Sequence, residues 1–165
     1  MLKKFGKFGR VAVTCAAVMA CGISVSAAQD VPEGVTAYEA SGAFDDVRFD
    51  LENAIVNRGL VIDYVSHIGD MLARTADDVG GKKQIFENAQ AMLFCSANLS
   101  RKAMEADPAN IAYCPYTLFV YETPDAGKVT VGFRKLTSSG SDASKAAIAE
   151  VNALLDEIAK EASGQ

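Results

Sequence analysis

Between Val35 and Lys160 the spacing of apolar residues switches repeatedly between strand-like and helix-like patterns, and each switch marks an element. Residues 35–41, bounded by Gly34 and Gly42, predict a first strand. Asp45 and Asp46 then place negative charge in a first helical turn, and Val47, Leu51, Ala54 and Ile55 recur at helical spacing until Gly59 supplies a stop. Residues 60–65 are rich in β-branched and aromatic side chains and predict a second strand. A turn of helix around residues 70–74 leads into a mobile polar loop with Gly80 and Gly81 in tandem, and residues 89–95 predict a central strand. Residues 99–105 form a short helix closed by Asp107 and Pro108, since proline cannot extend the hydrogen-bond ladder. Strands at 116–122 and 128–134 follow, joined by the turn residues Pro124, Asp125 and Gly127.

The chain ends in its clearest helix. Ser141 is a suitable N-cap, Asp142 suits the dipole, and Ile148, Val151, Leu154, Leu155 and Ile158 fall on one face, with Lys145, Glu150, Asp156, Glu157 and Lys160 on the other. The order β-α-β-β-(short α)-β-β-α suits an α+β fold: a single curved, mainly antiparallel sheet with the two long helices on one face.

The residues ahead of this pattern speak of export. Lys3, Lys4, Lys7 and Arg10 precede an apolar run over residues 11–25, too short for a comfortable span of about 20 residues and ending in small side chains. It reads as a signal peptide over residues 1–28, with cleavage after Ala28 favoured over Ala27, and residues 29–34 as a flexible leader to one domain at 35–162. An alternative is a degraded lipoprotein box, Val18-Met19-Ala20-Cys21, in which Cys21 is acylated; Met19 fits it poorly. The expected product is exported and periplasmic, with no transmembrane span.

Cleavage removes four of the 16 Lys and Arg and none of the 21 Asp and Glu, leaving 12 cations against 21 anions and a formal charge of −9. Such a surface, without a basic cluster, repels phosphate backbones and anionic membranes, which excludes nucleic acid as the expected partner. The remaining chain of about 137 residues is long enough to bury a core of its own.

Certain residues carry a resemblance. The stretch 44–58 with Gly59 and its strand, the run Phe94-Cys95-Ser96-Ala97-Asn98-Leu99-Ser100, the step Ala106-Asp107-Pro108, and Cys114-Pro115-Tyr116 leading to Val120-Tyr121-Glu122 resemble the bacterial and archaeal family catalogued as domain of unknown function 302. The similarity covers about residues 35–134. It implies a TATA-binding-protein-like α+β fold, often dimeric, and no established activity.

No Gly-rich phosphate loop, paired Cys-x-x-Cys, Gly-x-Ser-x-Gly elbow or His-Glu-x-x-His occurs. Any Ser-His-Asp or Cys-His machinery would rest on His67, which its position after a strand marks as a surface-loop residue. Asp45, Asp46, Asp50 and Glu52 are explained by the helix dipole, and Tyr113, Tyr116, Phe119 and Tyr121 by sheet packing. Without Cys15 and Cys21, the exported chain keeps two thiols, Cys95 and Cys114, in an oxidising compartment. If their strands run antiparallel they meet at one sheet edge and form a disulfide; two buried free thiols or a redox-active pair are the alternatives. No cofactor is expected, and the remaining alternative is a copper or zinc site in which His67, Cys95, Cys114 and Met71 or Met92 converge. Two function classes stay open: a non-catalytic module binding a small ligand or a protein, possible as a homodimer, and a thiol-redox or metal-handling protein.

Overall fold

The computed structural model describes residues 31–125 and 127–165. The expected export signal over 1–28, the Cys21 alternative and the first two leader residues lie outside the described residues. Strand β1 (Val35–Ala40) precedes helix α1 (Phe44–Val56), whose first turn carries Asp45 and Asp46 beside its free N–H groups. Gly59, at φ +72°, turns the chain into β2 (Val61–Ser66), and the short α2 (Ile68–Arg74) follows. A single 3₁₀ turn (Asp77–Val79) leads towards β3 (Asn88–Cys95).

Helix α3 (Ala97–Ala106) is capped by Ser96, whose hydroxyl accepts from the Leu99 N–H. Asp107 ends it and caps the next turn, accepting from the Ala109 N–H at the head of a 3₁₀ helix (Pro108–Tyr113). A cis Cys114–Pro115 bond leads into β4 (Tyr116–Glu122), then β5 (Val129–Arg134). Helix α4 (Asp142–Ser163) begins at Ser141, which accepts from the Ser144 N–H, and ends at Gly164 in the left-handed region.

The five strands form one wholly antiparallel sheet in the order β1-β5-β4-β3-β2. Strands β2 to β5 are a meander, each beside its successor, and β1 crosses to pair with β5. Alternation sends Met92, Phe94, Tyr116, Leu118, Val120, Val131 and Phe133 to the face covered by the long helices, where they meet Leu51 and Ile55 of α1 and Val151, Leu155 and Ile158 of α4. These helix residues are all at most 1% exposed, so the apolar stripes bury the whole of their side chains. Leu154, expected on the same stripe, is only half-buried because it sits at the stripe's margin.

Strand β2 departs from simple alternation. Its pairing with β3 skips Asp63 between Ile62 and Tyr64, so Ile62 and Val65, three apart, both pack on the core while Val61 and Tyr64 are exposed. One extra residue in a strand does this, and it resolves the otherwise awkward sequence Val61-Ile62-Asp63-Tyr64-Val65. No described helix is long and apolar enough to cross a membrane.

Candidate functional site: a cysteine pair and an apolar cleft

Antiparallel pairing of β3 with β4 sets Phe94 opposite Tyr116, which leaves Cys95 and Cys114 just beyond that pairing, at one end of two interior strands rather than at a sheet edge. Their Cα atoms lie 6.3 Å apart and their sulfurs are bonded. The Ser100 hydroxyl, in α3, is 3.6 Å from the Cys114 Sγ and 2.9 Å from the Tyr116 hydroxyl. Burial pushes the Tyr116 phenol up from its ordinary value, and the hydrogen bond to Ser100 offsets part of that. Ser100 was not singled out from the sequence. Its signal is its place one turn beyond the Ser96 cap of a helix that starts directly after a cysteine.

The other soft-metal candidates do not join this pair. Val61 pairs with Cys95 but Ser66 pairs with Ala91, so His67 stands beyond the far end of that pairing, four residues or about 13 Å along β3. Its ring is exposed, with Asp70 3.6 Å away, and Met71 is exposed in α2. Met92 is buried in the core. The expected convergence of His67, Met71 or Met92, Cys95 and Cys114 is therefore corrected by the β2–β3 register: the fold separates them. Among the described residues, no three His, Cys, Asp or Glu side chains are grouped to hold a metal ion.

The carboxylates of α1 sit at the surface, where Arg48 bonds Glu52 at 3.0 Å and lies 3.9 Å from Asp45. A second charged group links β1 to α4. The Tyr38 hydroxyl donates to Asp156, and Lys160 bonds the same carboxylate at 2.7 Å. Burial alone would raise Asp156, but the hydrogen bonds from Lys160 and Tyr38 outweigh it and hold the carboxyl below the usual range. Burial, then the bond to Asp156, pushes the Tyr38 phenol up, and the Asp156 bond holds Lys160 up. In a buried polar cluster, Asn110 donates to the Ala103 carbonyl and the Ser144 hydroxyl, both at 2.8 Å.

The segment read as a loop after a turn of helix builds a cleft of about 530 Å³. Gly69 begins it: a Cβ there would lie 2.9 Å from the Ala89 amide nitrogen, so only glycine lets α2 settle this closely on β3. Gly80, at φ +72°, and the Gly81 N–H bonded to the Ala76 carbonyl at 2.7 Å then turn the chain back along α2. Leu72, Ala73, Ala76, Val79, Ile85 and Phe86 give the cleft an apolar wall. Phe86 also reaches the sheet face opposite the long helices, where it meets Tyr121 at 5.4 Å between ring centroids, and Phe119 stacks on Tyr121 at 6.0 Å.

Gln84 lines the cleft but is bonded to its own segment, at the Phe86 carbonyl and Glu87 carboxylate. The charged lining groups are Lys82 and Lys83. The cleft was missed in the sequence because its apolar residues are scattered among glycines and lysines, without a regular period.

With this geometry in place, comparisons with known proteins locate the chain. A family model described as "Domain of unknown function DUF302" matches residues 36–162. Among solved structures, the crystal structure of an uncharacterized conserved DUF302 protein from Bacillus stearothermophilus superposes with a TM-score of 0.66, covering 79% of this chain and 99% of that one. At 14% identity the likeness concerns the fold. No curated protein matches the chain.

Proposed function

This chain belongs to the DUF302 family, and from that premise we propose that it is an exported, non-catalytic binding module that seats a small, largely apolar molecule in the cleft beside α2. The cleft carries the reading: its volume, about 530 Å³, lies in the range of small-molecule sites, and its wall is apolar. His67, exposed and 3.6 Å from Asp70, is not among the residues that line the cleft. In this reading the Cys95–Cys114 bond is a staple of the exported domain, distant from the cleft along the sheet.

Titration of isotope-labelled protein with dodecan-1-ol, followed by NMR, tests the assignment. Shifts concentrated at residues 69–86 support it; shifts elsewhere, or none up to the solubility limit, overturn it. Export is tested by N-terminal sequencing of protein from the cell envelope, where Gln29 or Ala28 is the expected first residue. The second reading, thiol-disulfide exchange, has one observation in its favour: Ser100 is placed to donate to a Cys114 thiolate once the bond is reduced. A reduction potential well above about −300 mV would favour it over a staple.

A further inference from the structure

Resting on the cleft as a small-molecule seat, we propose that its ligand is an amphiphilic monoanion, an apolar chain or ring bearing one carboxylate-like group. The wall supplies Leu72, Ala76, Val79, Ile85 and Phe86 for the apolar body. The charge at the lining is of one sign, Lys82 and Lys83, and neither lysine has a carboxylate partner among the described residues. Asp77 and Asp78 precede Val79 in the chain but do not line the cleft.

Of the five other lysines among the described residues, all but Lys135 are held in ion pairs. Lys102, Lys128, Lys145 and Lys160 are each held by an acidic side chain, on a chain whose 21 acidic residues outnumber its 16 basic ones. Two unclaimed ammonium groups beside an apolar wall complement a molecule with an apolar body and an anionic head. A neutral apolar ligand would leave them unused. Since both lysines are exposed, the selectivity they confer is modest and sensitive to salt.

Calorimetric titration of the purified protein with dodecanoate and with dodecan-1-ol, each below its aggregation threshold, separates the seat from the class of its ligand. Dodecanoate is expected to bind about fivefold more tightly than the alcohol, the size of two exposed charge contacts, and the preference should vanish at about 1 M salt. Lys82→Gln with Lys83→Gln should bring the two affinities together, and Val79→Glu, at a position 78% exposed and so harmless to folding, should weaken the acid more than the alcohol. Equal binding of acid and alcohol by the unaltered protein overturns the anion assignment and leaves the seat standing. Absence of binding by either overturns the seat itself. Flotation with phosphatidylglycerol vesicles that depends on the two lysines would move the assignment from a free amphiphile to a membrane surface, and so overturn it as well.

Discussion

Phe119 lies across Gly132, and a Cβ on that glycine would stand 2.6 Å from the Phe119 ring and 2.5 Å from the Thr36 carbonyl oxygen. The residue is thus fixed by what covers it, in the middle of a strand where glycine otherwise weakens the sheet. Gly132→Ala should cost about 1 to 3 kcal/mol in denaturant unfolding, as overpacking does elsewhere, and Phe119→Leu in the same chain should recover part of it. Asp156 offers a test by pH. Its carboxyl is held below the ordinary value by Lys160 and Tyr38 against the opposing effect of burial, so its contribution is present above the unfolded value of about 3.9 and is lost as pH falls through the lower folded value. Stability measured down through that acid range should fall less steeply in Asp156→Asn than in the unaltered protein. An unchanged slope would show that the three groups do not interact in solution.

At the scale of elements, regular periods were legible and interruptions were not. Helix α4 could be read from Ser141 onward because cap, dipole charge and apolar stripe all agree, and its buried residues include Ile148, Val151, Leu155 and Ile158. Leu155→Ala should therefore cost about 2 to 5 kcal/mol, while loss of the half-buried Leu154 should cost less; equal effects in chemical denaturation would show that the stripe is drawn wrongly. The α+β order and the single sheet were likewise readable, since each strand is bounded by glycine, proline or a cap. What escaped was produced by exceptions to periodicity. The residue skipped at Asp63 alters which side chains of β2 face inward, and no local composition announces it. The cleft depends on Gly69 meeting the backbone of Ala89, a contact between an element and a strand 20 residues later, so nothing in residues 68–86 alone revealed a wall. His67 and Met71 failed to join the cysteines for a similar reason: their distance is set by strand register, which spacing in the sequence does not encode.

On the scale of the whole molecule, the disulfide and the cleft occupy different ends of the β2–β3 pairing, and that separation makes their roles independently measurable. The bond closes the loop that contains α3 and the 3₁₀ helix, with a sequence separation of 19. In the chain-entropy model, closing a loop of this length restricts the unfolded chain enough to stabilise the fold by about 3 kcal/mol. The core contacts of α1 and α4 with the sheet do not involve it, so the fold should survive its loss. Cys95→Ser with Cys114→Ser is therefore expected to lower unfolding stability by about that amount while keeping native circular dichroism and unchanged binding of an apolar probe such as dodecan-1-ol. Loss of probe binding alongside retained structure would connect the cysteine end to the cleft and argue for a redox-controlled site. Collapse of the fold would show instead that the core is insufficient without its staple. The decisive companion measurement is the stability of the chemically reduced protein, because reduction opens the bond without replacing either sulfur: agreement between reduced and doubly substituted proteins isolates loop closure as the cause, whereas a more stable reduced form would point to Ser100 stabilising a Cys114 thiolate.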